Sequence, residues 1–329
     1  MPDVLMPRRA VLGAGAALLV ATTGASAQPW PNRTIQILVG FGAGGVSDVA
    51  TRLLAEGLRP LISQPIVIEN RAGASGMIAA GVVARSAPDG YMLLGVPGTI
   101  TIVPSVMSNL PIDVLRDLEP ITIYATSPNV LVVRPDLPAR NLAELLAAIR
   151  AKPPEDFAYA SSGLGTTVHL MAGMIERAAG IRMRHIPFRS SADSIRSVMA
   201  GELPMVFSSV NSALPFIQSG SVRALAVATE KRTTFLPDVP TFDEAGLPGI
   251  RSDTWFGLAG PAGMPRALVE QIAALCDKVM ADPEMQARFS ALGAQPTGLG
   301  PDAARAQIER EVKAFAELAA AMGIRREGQ

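Results

Sequence analysis

Between residues 35 and 54 the chain reads Ile-Gln-Ile-Leu-Val-Gly-Phe-Gly-Ala-Gly-Gly-Val-Ser-Asp-Val-Ala-Thr-Arg-Leu-Leu, and this stretch constrains the fold more than any other. Ile35 to Val39 is mostly branched aliphatic and uncharged, as a strand buried on both faces requires. A glycine-rich turn follows. From Ser47 onward Val49, Ala50, Leu53, Leu54 and Leu58 recur at helical spacing, and Ser47 or Asp48 stands where an N-cap belongs. A strand, a glycine turn and a helix start let a ligand approach the backbone, and the open N–H groups with the positive dipole end attract an anion. The spacing is neither G-x-G-x-x-G nor the G-x-x-x-x-G-K-[ST] phosphate loop, and no lysine follows the glycines. The alternative is a tight βα turn that binds nothing.

The same design recurs. Pro65 to Asn70 is a second short strand ending in Arg71-Ala72-Gly73-Ala74-Ser75-Gly76, with a helical pattern from Met77 to the turn Pro88-Asp89-Gly90. Tyr91 to Val96 is a third strand. Two apolar segments, Ile121 to Tyr124 and Val130 to Val133, flank Ser127-Pro128-Asn129, and Asn141 caps a further helix. Phe157 to Ala160 then runs into Ser161 to Leu170, another strand feeding a glycine and hydroxyl turn into a helix. Arg184 to Phe188 leads into Arg189 to Asp193, and Pro204 to Phe207 into Ser208 to Asn211. Further strands are expected at 221–229 and from Trp255 to Gly260. Helical sequence runs from Pro265 to the end, broken at Asp282-Pro283 and from Gly293 to Pro301. Alternating β and α segments predict an α/β fold whose loops collect on one sheet edge.

A chain of 329 residues, 49% hydrophobic, can bury a core large enough for two domains. Twenty-nine basic residues balance 29 acidic ones, so no basic excess points to nucleic acid. Arg8-Arg9, an apolar run from Ala10 to Val20 and the small-x-small site Ala25-Ser26-Ala27 predict a signal peptide over residues 1–27 and export to the periplasm. The arginine pair weakly resembles a twin-arginine signal. An uncleaved anchor is the alternative, although the run is short for a span. Removing Arg8, Arg9 and Asp3 leaves 27 basic against 28 acidic residues, a charge of −1. Cys276, the only cysteine, excludes an intramolecular disulfide and reads as a buried thiol on a helix face.

The order and spacing of many short motifs resemble one family over nearly the whole chain after residue 28. They include Trp30-Pro31, Phe41 to Asp48, Val67-Ile68-Glu69-Asn70-Arg71-Ala72-Gly73-Ala74, Pro88-Asp89-Gly90-Tyr91 and Ser161-Ser162-Gly163 with His169-Leu170. The series continues through His185-Ile186-Pro187-Phe188, Arg223 to Val227, Leu236-Pro237-Asp238-Val239-Pro240-Thr241 and Trp255-Phe256-Gly257-Leu258. The chain resembles the extracytoplasmic substrate-binding receptors of tripartite tricarboxylate transporters, the Bug-type solute-binding proteins. That resemblance implies a two-lobed clamshell of the type II periplasmic-binding-protein kind. Each lobe would be a mainly parallel sheet flanked by helices, with two chain crossovers: residues 28–134 plus 254–329 in lobe 1 and 135–253 in lobe 2. It further implies a carboxylate-bearing ligand in the cleft, permease subunits in the membrane as partners, a monomer, and neither cofactor nor metal nor enzymatic activity.

Carried over by position, lobe 1 contributes Gly44, Gly45, Ser47 and Asp48 from one loop and Gly73, Ala74 and Ser75 from the next. Lobe 2 contributes Ser161, Thr166, Thr167 and His169, then Arg189, Ser190, Ser191 and Ala192, with Ser208 and Asn211 at the cleft floor. The sequence departs from the family pattern at Ala43, where proline is common, at Arg189-Ser190-Ser191, where Lys-Gly-Gly is common, and at Pro204-Met205, where Val-Asp is common. These departures bear on which ligand is held. Residue chemistry also weighs smaller alternatives. Asp48 contacts a ligand or caps backbone N–H groups; Arg189 meets a second carboxylate or is a solvated rim residue. Trp255 and Phe256 stack on a ligand or pack in a core or hinge. A serine hydrolase is disfavoured because Met77 occupies the last glycine position of G-x-S-x-G. A ligand-sensing receptor for a membrane signalling protein, or a dinucleotide-dependent oxidoreductase using Phe41 to Asp48, are the competing functions.

Overall fold

The computed structural model describes residues 30–321. The first half of the chain supplies β1 (Ile35–Val39), α1 (Val46–Leu58), β2 (Ile66–Asn70), α2 (Met77–Ala84), β3 (Met92–Pro97), the single turns α3 (Val103–Val106) and α4 (Val114–Asp117), and β4 (Leu118–Val133). Then follow α5 (Leu142–Arg150), β5 (Ala158–Ser161), α6 (Thr167–Ala179), β6 (Arg184–Pro187), α7 (Ser191–Met199), β7 (Met205–Ser209), α8 (Val210–Gln218) and β8 (Arg223–Val227). The chain closes with β9 (Asp253–Pro261), α9 (Arg266–Ala281), α10 (Pro283–Ala291), β10 (Gln295–Leu299) and α11 (Pro301–Ala321).

One strand organises the rest. β4 is 16 residues long, and it changes partners between Pro128 and Asn129. Its first part, Leu118 to Pro128, pairs antiparallel with β9 and, over Ile123 to Thr126, with β10. Asn129 to Val133 instead pair antiparallel with β7, and Val130 to Val133 with β8. β2, β1 and β3 extend the first sheet in parallel, and β6 and β5 extend the second beside β7 in parallel. The parallel character therefore belongs to the βα units, while the strands carrying the chain between halves run antiparallel, because β9 must return beside β4. The two apolar segments expected around Ser127-Pro128-Asn129 are one continuous strand. Pro128 donates nothing to a ladder and sits where the ladder changes sheets. At that point Asn129 N donates to Ser252 O, Ala228 N to Asn129 O and Ser252 N to Ala228 O, so the outgoing and returning segments are laced together.

Each half has its own core. Ile37, Leu54, Tyr124, Phe256 and Phe289 lie in one cluster and Tyr159, Met171, Phe207 and Phe242 in another. Burying such sets, at ~25 cal/mol per Å² of apolar surface, provides the main drive for each half. Cys276 is fully buried in the first cluster, and burial pushes its thiol up to about 12. β10 falls in the break from Gly293 to Pro301, where local pattern gave no strand; Pro296 and Gly298 are tolerated because it is an edge strand. Among the described residues no helix is long and apolar enough to cross a membrane. The predicted signal peptide, residues 1–27, lies outside the described residues.

Candidate functional site

A cleft of about 550 Å³ lies between the halves, and four helices begin at it. The first residues of α1 (Gly45, Val46, Ser47), α6 (Thr166, Thr167), α7 (Ser190, Ser191, Ala192) and α8 (Ser209, Asn211, Ser212) all line its walls. Each helix start carries backbone N–H groups with no partner inside the helix and the positive end of a peptide dipole. Thr166 Oγ1 accepts from His169 N, and Ser190 Oγ from Asp193 N, which satisfies one donor in each of α6 and α7. Gly45 makes no side-chain cap bond, so α1 opens its first turn to the cleft, whereas in α8 the Asn211 N–H is taken by Ser127 Oγ. Among the described residues no aspartate or glutamate lines the cleft, and the charged side chains on its lining are Arg189 and Arg196, the latter paired with Asp193. The cavity is built for negative charge.

The geometry separates residues that face the cleft from residues that hold its walls. Gly44, Gly45 and Ser47 line it, whereas Asp48 does not. The helix begins at Val46 with Gly45 as N-cap, not at Ser47 or Asp48. Asp48 is 2% exposed, and its carboxylate accepts from Gly44 N at 2.8 Å, Arg52 Nε at 2.9 Å and Asn70 Nδ2 at 2.9 Å. Asn70 Nδ2 also donates to Phe41 O. Asp48 thus fixes the glycine loop from behind. Burial raises its pKa, but the hydrogen bonds from Arg52, Gly44 and Asn70 outweigh burial and hold the carboxyl below the usual range.

Gly73, Ala74 and Ser75 lie off the cleft wall. Gly73 is the N-cap of a tight 3₁₀ turn, Ala74–Gly76, with positive φ at all four residues, packed behind the first loop; a Cβ on Gly40 would meet Gly76 Cα at 2.5 Å. Their loop buttresses Gly40 and Phe41. In the second half Thr166, Thr167, Arg189, Ser190, Ser191, Ala192 and Asn211 face the cleft, while Ser161, His169 and Ser208 are buried behind it. Ser161 Oγ bonds His185 Nε2 at 2.6 Å and accepts from Gly163 N, and His169 Nδ1 accepts from Gly165 N at 3.2 Å. The His169 and His185 rings stack at 4.2 Å, and burial pulls His169 down to about 4 and His185 to about 3. Both imidazoles are neutral at pH 7 and serve as fixed supports for the Ser161–Thr166 loop.

Several lining residues escaped the sequence reading. Arg196 is one helical turn beyond Ala192, on the same face, a spacing that was available. Thr99, Ser209, Ser212 and Thr254 had no such local signal. Thr254 enters through the hinge, where Thr167 Oγ1 and Thr254 Oγ1 lie 2.8 Å apart, Thr254 Oγ1 donates to Asn129 Oδ1 and Asn129 Nδ2 donates to Thr167 Oγ1. Asn211 N donates to Ser127 Oγ, which donates to Gly293 O. The crossover strands therefore hold the first residues of α6 and α8 directly. Asn211 Oδ1 is buried without a protein partner, the kind of atom that a ligand or water satisfies. Trp255 sits away from the cleft, its indole donating to Glu311, whereas Phe256 lines it. Glu69, the acid at the end of the second strand, accepts from Gln36 and Arg71 rather than standing free for a ribose.

Two α/β halves joined by crossover strands, with an anion-attracting cleft between them, define a two-lobed solute-binding protein. The family described as "Tripartite tricarboxylate transporter family receptor" matches residues 50–321, and the chain belongs to that family. It is 32% identical to Protein BugT of Bordetella pertussis over 314 residues, 94% of this chain and 96% of that one. Among solved structures it resembles R. palustris Rpa4515 with adipate, at TM-score 0.84 and 30% identity over 89% of this chain and 98% of that one. It also resembles the periplasmic binding protein BugD, at TM-score 0.82 and 31% identity over 91% of this chain and 100% of that one. The family is one of solute receptors.

Proposed function

We propose that this protein is an exported receptor that captures a small carboxylate-bearing metabolite between its lobes and delivers it to the membrane permease of a tripartite transporter. The observation that carries this reading is the convergence of four helix N-termini, from both lobes, on one cleft whose lining has, among the described residues, two arginines and no carboxylate. In this reading the ligand's carboxylate takes backbone N–H groups and hydroxyls at Val46 and Ser47, Thr166 and Thr167, and Ser191 and Ala192, with Arg189 adding charge. Contacts made to both lobes at once favour the closed form, because a ligand shifts an equilibrium only by its differential affinity for the two states. The adipate held by Rpa4515 is a carboxylate of the size this cleft accommodates. The receptor acts as a monomer in the periplasm, after removal of residues 1–27, and the transfer step falls to the permease.

A thermal-shift screen of organic acids against their amides tests the reading. An acid at a hundredfold excess over its Kd adds about 2.7 kcal/mol of stability. Amides that stabilise as well as their acids would refute it.

A further inference from the structure

Behind the cleft, on the far face of β9, lies a carboxyl group that ligand capture does not use. Successive side chains of a strand point to opposite faces, so Thr254 lines the cleft while Trp255, 1% exposed, turns away from it toward α11. There Glu311 accepts from the indole Nε1 at 3.1 Å on Oε1 and 2.9 Å on Oε2, and Oε1 also accepts from Gln307 Nε2 at 2.8 Å. Thr101 Oγ1, in the 3₁₀ turn Gly98–Thr101, stands 2.8 Å from Gly98 O and 3.0 Å from Glu311 Oε2. A hydroxyl carries a single hydrogen. With that hydrogen on the shorter contact, to Gly98 O, the contact to Oε2 is a hydrogen bond only when Glu311 holds a proton there and donates it.

The electrostatics around the carboxyl agree. Among the described residues no arginine or lysine pairs with Glu311. The turn Gly98–Thr101 and α3 carry no charged side chain. On α11 itself, Arg305 is held by Glu119 at 2.7 Å, and Glu309, Arg310 and Lys313 are exposed. The charged neighbour that bears on Glu311 is Asp253 of β9, on the same strand face as Trp255. Burial pushes the Glu311 carboxyl above its ordinary 4.5, the hydrogen bonds from Trp255, Gln307 and Thr101 oppose this, and Asp253 adds to the rise.

We propose that Glu311 is a positioning residue held as the neutral acid, whose proton ties α11 to the turn that carries Thr99 and, through Trp255, to the strand that carries Thr254. The turn and the indole are in direct contact, since a Cβ on Gly98 would lie 2.9 Å from Trp255 Nε1. Pro97, Thr99 and Thr254 line the cleft, each next in the chain to a residue of this cluster. Loss of the proton leaves Thr101 with two acceptors for one hydrogen and sets a negative charge beside Asp253, so the turn shifts and the cleft wall shifts with it. This holds whatever ligand the cleft takes.

The test is an NMR titration of the purified protein from pH 4.5 to about 9, following the Trp255 indole N–H and the backbone amides of Gly98 and Thr99. The other tryptophan, Trp30, is told apart by Trp30→Phe. The three signals should move together with one midpoint above 4.5. In Glu311→Gln they should stay still, because the amide keeps an N–H for Thr101 and a carbonyl for Trp255 and Gln307. Stability follows the same proton. The folded pKa lies above the unfolded one, so the stabilisation is whole at and below 4.5 and is lost as pH rises through the folded value. Glu311→Gln should therefore match the native urea midpoint at pH 4.5 and exceed it at about pH 9, whereas Glu311→Ala should fall below Glu311→Gln throughout. Static signals in the native protein, or Glu311→Gln as unstable as Glu311→Ala at pH 4.5, overturn the proposal. An indole signal that titrates while Gly98 and Thr99 stay fixed overturns the positioning role.

Discussion

Asn129 is the side chain on which the hinge and the cleft meet, so its truncation has two measurable consequences. It is fully buried, and its Nδ2 donates to Ser252 Oγ at 2.8 Å and Thr167 Oγ1 at 3.2 Å while its Oδ1 accepts from Thr254 Oγ1 at 3.1 Å. Asn129→Ala removes three hydrogen bonds worth about 1 kcal/mol each net. Thr167 Oγ1 and Thr254 Oγ1 keep each other at 2.8 Å, so the hydroxyls are not all stranded. The expected loss of stability is about 2–3 kcal/mol, read as a lower urea midpoint at unchanged m-value. In a domain of this size that corresponds to a fall in Tm of roughly 4–10 °C. Thr167 and Thr254 both line the cleft, so organic-acid affinity should fall about tenfold in the same variant. Thr254→Val alone should cost about 1–2 kcal/mol, and the double variant should fall short of additivity by at least ~0.5 kcal/mol because the two share a bond. A stability change below ~0.5 kcal/mol with unchanged affinity would show that the network holds neither hinge nor cleft.

Three further outcomes are expected. Arg189 has no ion pair among the described residues and lines the cleft, so Arg189→Ala should weaken acid binding about tenfold, ~1.4 kcal/mol, with a smaller loss at high salt; titration at two ionic strengths checks it. The Asp48 pKa is lower folded than unfolded, so its contribution is present above its ordinary 3.8 and lost as pH falls below it; Asp48→Asn should destabilise by about 1–2 kcal/mol at pH 7 and flatten that acid limb, read by denaturation across pH. Gly165 has φ +69°, and a Cβ there would lie 2.6 Å from Val106 Cγ2 in the other half, so Gly165→Ala should cost about 2 kcal/mol in chemical denaturation, with Val106→Ala recovering part.

Local sequence carried the elements that depend on local physics. Ile35 to Val39 makes a strand because an uncharged aliphatic run suits a buried parallel position, and Asn141 caps α5 because its side chain accepts from Glu144 N. Ser190 caps α7 and Thr166 caps α6 for the same reason. The glycine loops were legible as loops, but which of them face the ligand was not. Gly44 and Gly73 stand in nearly the same context, a strand end and a helix start, yet one lines the cleft and the other packs behind Gly40. Asp48, His169 and Ser161 flank the loops that line the cleft, and only their buried hydrogen bonds reveal that they hold the wall and do not form it.

Composition and periodicity by themselves determined an α/β chain whose strand-to-helix turns are rich in glycine and hydroxyls, since each of those signals acts over a few residues. The tertiary structure decided the rest: that β4 runs unbroken through Pro128 from one sheet to the next, and that Thr254 and Leu292, far along the chain from the first loop, reach the same cleft. Those facts arise from which surfaces pack against which, and packing partners far apart in the chain leave no mark on local spacing.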